Sequence, residues 1–216
     1  MKPTSIFLPA LLLAAGAGAS RAGAAPALKF DVTARIVPLG KTQLPPQAVR
    51  ANIVLSGQRA RIDTTAGGTR SLLLYAPPYV YRLLPSYKAG VKWKASQIRR
   101  GGLAGFDPQQ LLRNPAQIRQ TFTQGGAKLT GRATLSGVAV DVYELARPGE
   151  QFSRLKAWVR HDNALPVRFE AQSAGLKVVA LWSNYTRLSN VPASTFAPPS
   201  GYAIREAQNP PTLPIL

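Results

Sequence analysis

One histidine, nine carboxylates and no cysteine are the stock from which any chemistry in this chain must be drawn. His161 opens a His-Asp-Asn-Ala run at 161–164 that reads as a hairpin turn. A Ser-His-Asp triad would have to use it, yet no G-x-S-x-G elbow is present. One imidazole without thiolates cannot build a histidine- or cysteine-based metal cluster, so a plain turn residue is the simpler reading. Asp141 and Glu144 lie three apart on a strand-like run, which places them on opposite faces and argues against a paired acid/base site. The glycine pairs are not followed by Lys-Ser/Thr, so no phosphate-cradling P-loop is encoded. The residues thus point to a non-enzymatic protein with no cofactor and no metal.

The elements that position these residues centre on Gly137–Gln172, which reads as three antiparallel strands. Val138, Val140 and Val142 alternate with Ala139, Asp141 and Tyr143. Leu155, Ala157 and Val159 alternate with Lys156, Trp158 and Arg160, and Leu165, Val167 and Phe169 with Pro166, Arg168 and Glu170. Period-two alternation with a polar opposite face marks a half-buried sheet. Further strands precede it. Phe30, Val32 and Ala34 alternate in the first, Ala51–Leu55 forms the second, and Ala60 and Ile62 oppose Arg59, Arg61 and Asp63 in the third. Leu129–Leu135 resumes the sheet after a helical interval, and Leu176–Arg187 follows the meander.

Ser71–Tyr75 and Tyr79–Leu84 differ from the others, because both of their faces are apolar. Both faces are therefore expected to be covered. Either they form an ordinary core between sheet and helices, or one face lines a cavity. The candidate ligand-binding residues are Leu72, Leu74, Tyr79, Tyr81, Leu83 and Trp93. Two short helices are available to cover them. Phe106-Asp107-Pro108-Gln109-Gln110-Leu111 has an Asp cap, Pro at the first helical position and a hydrophobic staple. Asn114-Pro115-Ala116-Gln117 repeats the cap, and Gly125-Gly126 ends the second helix. Phe106, Leu111, Leu112, Ile118 and Phe122 are the lid residues this predicts, over helices at Asp107–Arg113 and Pro115–Thr123.

The order G-x-x-A-R-I-D, Y-V-Y-x-L-x-P, G-x-x-V-D-x-Y and K-x-W-V-x-x-D-x-x-L-P-V-R-x-E resembles periplasmic proteins of the LolA/LolB-like superfamily. The closing Phe196 and Pro-x-Gly-Tyr at 199–202 follow the same pattern, so the resemblance spans most of the chain. It implies a mainly β (α+β) fold: a strongly curved antiparallel sheet forming an incomplete barrel, with short helices plugging its concave face. It also implies a hydrophobic ligand such as the acyl chains of a lipid or an acylated protein. The residues alone imply only a one-sided sheet with a small helical lid.

Met1-Lys2, the apolar run Ile6–Ala15 and the small residues to Ala25 read as a secretory signal over residues 1–24. One domain is then expected over 25–202, with a disordered tail from Ala203 to Leu216. The expected address is the periplasm, and the expected form a monomer. Charge is lopsided, with 27 Lys and Arg against 9 Asp and Glu; losing Lys2 and Arg21 with the signal lowers the net charge from +18 to +16. Three readings stay open: a solvated basic surface, adaptation to an acidic exterior, or attraction to an anionic membrane surface. Nucleic acid is disfavoured, since no basic helix, zinc-finger spacing or aromatic RNA-binding motif occurs. The functional expectation is a periplasmic carrier or binding protein for a hydrophobic ligand. The rival is a protein-interaction module of the envelope, such as a stress sensor or assembly factor.

Overall fold

The computed structural model describes residues 26–40, 45–98, 114–146 and 153–209. The signal assignment, the helix expected at Asp107–Arg113 and lid residues Phe106, Leu111 and Leu112 lie outside the described residues. Among the described residues twelve strands form one sheet: β1 (Ala27–Pro38), β2 (Gln47–Ser56), β3 (Arg59–Ala66), β4 (Thr69–Ala76), β5 (Tyr79–Leu84), β6 (Ala89–Lys94), β7 (Lys128–Leu135), β8 (Val138–Ala146), β9 (Arg154–Arg160), β10 (Pro166–Gln172), β11 (Leu176–Leu188) and β12 (Ala203–Glu206). Their spatial order is β12-β6-β5-β4-β3-β2-β1-β11-β10-β9-β8-β7. The chain thus makes two meanders, β1–β6 and β7–β11, zipped together where β1 pairs antiparallel with both β2 and β11. Two-residue turns join β2 to β3, β3 to β4, β4 to β5 and β7 to β8. Gly67 and Gly68, both at positive φ, supply the left-handed pair that a two-residue β3–β4 loop requires.

The sheet does not close, and its two ends, β12 and β7, are not paired with each other. It does curl. Trp93 of β6 and Tyr143 of β8 sit near opposite ends of the strand order, yet both belong to one apolar cluster with Phe30, Ile53 and Trp182. Only a sheet wrapped around its own inner face can bring those rings together, so the architecture is an open curved sheet. One helix among the described residues, α1 (Gln117–Gln124), fills that inner face. Ile118 and Phe122, one turn apart, are fully buried there. Phe122 packs tilted against Tyr143 and Phe169, each with ring centroids 5.7 Å away, and Phe169 continues to Trp182 at 5.0 Å.

Two sequence expectations change. The Asn114 side chain does not cap α1: the N-cap is Ala116, without a side-chain bond. Backbone carbonyls of the preceding turn serve instead, Asn114 accepting from Gln117 and Pro115 from Ile118, both at 3.0 Å. The tail expected to be disordered from Ala203 forms β12, which runs parallel to β6 with Ala203 opposite Ala89 and Glu206 opposite Lys92. Its few residues hold because β6 offers an open row of backbone groups. Ala207 N–H then donates to Lys92 O, and the Trp93 indole N–H donates to Asn209 O at 3.1 Å.

Candidate functional site

Strand parity decides what the two-faced strands β4 and β5 line. Register pairs Leu72 with Leu83 and Leu74 with Tyr81, so these residues and Tyr79 share the outer face. There they are covered by the C-terminal segment. Leu72, Leu74 and Leu83 are buried under Tyr202 and Ile204, while Phe196 is buried in the short turn that crosses β3 and β4. Gly90, opposite Leu83, makes this possible: a Cβ there would stand 2.4 Å from Leu83 Cδ2 and 2.7 Å from Arg82 O. Trp93 faces the other way, into the main core with Tyr75 and Val80. The six residues singled out as a ligand site are therefore divided between two faces, and no single space is lined by all of them. Of the lid residues, Ile118 and Phe122 do plug the concave face, as part of its packed core.

The space on the inner face lies one residue along the same strands. A cavity of about 580 Å³, open to solvent, is walled by Leu84, Ala89, Val91 and Ala203 and flanked by Arg82 and Arg205. Arg82 pairs with Val91 and Leu84 with Ala89, while β12 brings Ala203 beside Ala89 and Arg205 beside Val91. Alternation thus puts apolar walls and both guanidiniums on one side. Among the described residues, neither arginine is paired with a carboxylate. An apolar trough with two unpaired cations can hold a hydrocarbon and fix an anionic group at its rim. Nothing in the sequence marked this trough: Arg82 reads as one more basic residue on a strand, and Arg205 falls in the tail.

A second polar cluster anchors the helix. Asp141 is the one buried charged residue among the described residues, 5 % exposed, and it faces inward from β8. Its Oδ1 lies 2.8 Å from His161 Nδ1, and its Oδ2 lies 3.2 Å from Arg119 Nε on α1, without the angle of a hydrogen bond. Arg132 approaches from the edge strand at 3.5 Å. The Arg119 guanidinium also donates to Arg160 O at 3.0 Å and to His161 O. His161 is therefore a turn residue with a task, hydrogen-bonding through Nδ1 to the carboxylate that docks α1. Glu144 faces outward, as three-residue spacing on a strand requires. Among the described residues no group of three His, Cys, Asp or Glu side chains could hold a metal ion.

All seven carboxylates among the described residues have a cationic or amide partner. Hydrogen bonds from Asn184 and Asn52 hold the Asp31 carboxyl below the usual range. Burial pushes Asp63 and Glu170 upward, but Arg70 and Arg61 at the first, and Lys177 and Arg168 at the second, outweigh it and leave both lowered. Lys156 and then Arg154 lower Glu144. A depressed folded-state pKa adds stability above the unfolded value, about 3.9 for Asp and 4.3 for Glu, and that stability is lost as pH falls through the folded value. Thermal melts followed by circular dichroism should therefore show a midpoint that holds from pH 8 to about 5 and drops only below about 4. A steep fall already at pH 6 would contradict the pairing scheme.

No family model matches the chain, and no curated protein matches it in sequence. Solved structures do. An uncharacterized conserved protein from Thermus thermophilus superposes with TM-score 0.53 at 10% identity, covering 82% of this chain and 90% of that one. A LolA superfamily protein from Nitrosomonas europaea gives 0.36 at 13% identity, over 79% and 90% of the two chains. The Mycobacterium tuberculosis lipoprotein LppX gives 0.40 at 11%, over 73% and 85%. At 10% identity, the likeness to the Thermus thermophilus protein is one of fold alone.

Proposed function

We propose that this chain is a non-catalytic binding protein of the cell envelope that carries an amphiphile with an acyl chain and an acidic head. The observation that carries the reading is the open apolar trough between β5, β6 and β12, with Arg82 and Arg205 at its rim. Its volume is within the range of about 300–1,000 Å³ typical of ligand sites. Magnitudes favour an acidic head over a neutral one. Some ten buried methylenes contribute roughly 8 kcal/mol gross, and ordering costs consume much of that. Hydrogen bonds to a charged group add about 1.5–3 kcal/mol each, enough to bring the net affinity to micromolar. The likeness of the sequence to LolA/LolB-like proteins agrees with an acyl-chain ligand and a periplasmic address.

The rival, a protein-interaction module, draws on the filled part of the same face. Around α1 the concave side is packed solid by Ile118, Phe122 and their aromatic neighbours. Displacement of a fluorescent fatty acid from the purified protein separates the two readings. Saturable binding supports the carrier; its absence leaves the interaction module.

A further inference from the structure

The outer face of β9–β11 carries an arrangement that the inner trough does not use. Glu144 bridges Arg154 and Lys156 at 2.7 and 2.8 Å, and Glu170 bridges Arg168 and Lys177, the latter at 3.0 Å. Four cations are thus held in place by two carboxylates, which leaves positive charge in excess. Trp158 stands between the two groups, with Lys156 Nζ and the Arg168 guanidinium carbon each 5.2 Å from its ring. A shallow depression of about 280 Å³ opens beside the indole. Register continues the face onto β11 and β1, where Leu181 lies opposite Arg168 and Arg35 lies opposite Val179. Leu181 is 45 % exposed, one of few large apolar side chains left in solvent among the described residues. The indole N–H has no partner among the described residues.

We propose that this convex face docks onto an anionic lipid bilayer, with Trp158 and Leu181 entering the head-group layer and the surrounding cations meeting lipid phosphates. Two features favour a bilayer over an acidic peptide. The cations spread across β9, β10 and β11 on a convex surface, around a depression that is shallow and not a long groove for an extended chain. The apolar members are an amphipathic indole and a lone leucine, which suit an interface that is wet on one side and oily on the other. Carboxylate bridges already restrain these lysines and arginines, so less ordering is needed on contact. The face lies on the opposite side of the sheet from the trough, so the proposal stands or falls independently of the ligand reading.

The test is sedimentation with phosphatidylcholine vesicles, with and without phosphatidylglycerol. The intact protein is compared with Lys156→Glu/Lys177→Glu and with a control pair of equal charge change, Arg59→Glu/Lys88→Glu. Melting curves confirm that each is folded. The face pair should lose at least about tenfold in affinity for the anionic vesicles and the control pair no more than about twofold, given the contribution of each cation near such a surface. Brominated acyl chains should quench the intact protein's fluorescence, and Trp158→Phe should abolish the quenching. Equal losses in the two pairs would reduce the effect to net charge and overturn the proposal. Quenching that survives Trp158→Phe, or binding to polyglutamate without binding to vesicles, would overturn it as well.

Discussion

Phe122→Ala is expected to cost about 3–5 kcal/mol of unfolding free energy, the range for deleting a buried phenyl ring. Phe122 is 1 % exposed and touches the aromatic chain that runs through Tyr143, Phe169 and Trp182. The loss goes beyond a cavity. Helix α1 has eight residues and no side-chain N-cap, and a helix so short does not persist without tertiary contacts. Ile118 and Phe122 are its buried contacts, with Arg119 held by Asp141 beside them. Urea unfolding followed by circular dichroism measures the change. Fatty-acid affinity should stay nearly constant in conditions where the variant is folded, because Phe122 does not line the trough. A loss below about 1 kcal/mol would show that α1 is a loosely held lid and not a wedge in the core.

The second large effect is expected at the trough itself. Arg82→Gln combined with Arg205→Gln should weaken fatty-acid binding by about 100-fold or more, since two hydrogen bonds to a charged head contribute about 3 kcal/mol at the least. Stability should change by less than about 0.5 kcal/mol, as for surface positions without structural partners. Both side chains are exposed, and neither is paired with a carboxylate among the described residues. Calorimetric titration and urea unfolding of the same preparation read both quantities. A variant that binds as tightly as the parent would remove the arginines from the site.

The meander and its hairpins are legible in the sequence because they rest on local rules. Val138–Val142 and Leu155–Val159 alternate strictly, and the paired turn glycines mark where the chain reverses. The helix over 117–124 is legible from Ile118 and Phe122 at i and i+4. What parity alone could not assign is the identity of each face in β4 and β5. Leu72, Leu74, Tyr81 and Leu83 look like a wall awaiting a ligand until Tyr202 and Ile204 are seen packed against them. That contact joins positions more than a hundred residues apart, and no local pattern announces it. The same long-range pairing of β12 with β6 creates the trough, and so hides Arg205 from a sequence reading. The role of His161 was concealed for a like reason, since its partner Asp141 sits on a neighbouring strand.

The central claim is that the trough between β5, β6 and β12 binds an anionic amphiphile. The most direct measurement is a calorimetric titration of the intact protein with a long-chain fatty acid and with the alcohol of the same chain length. The acid should bind saturably near micromolar affinity, and the alcohol should bind at least about tenfold more weakly, a difference of about 1.4 kcal/mol that reports the rim arginines. Equal affinity for acid and alcohol, or no heat from either, would contradict the account.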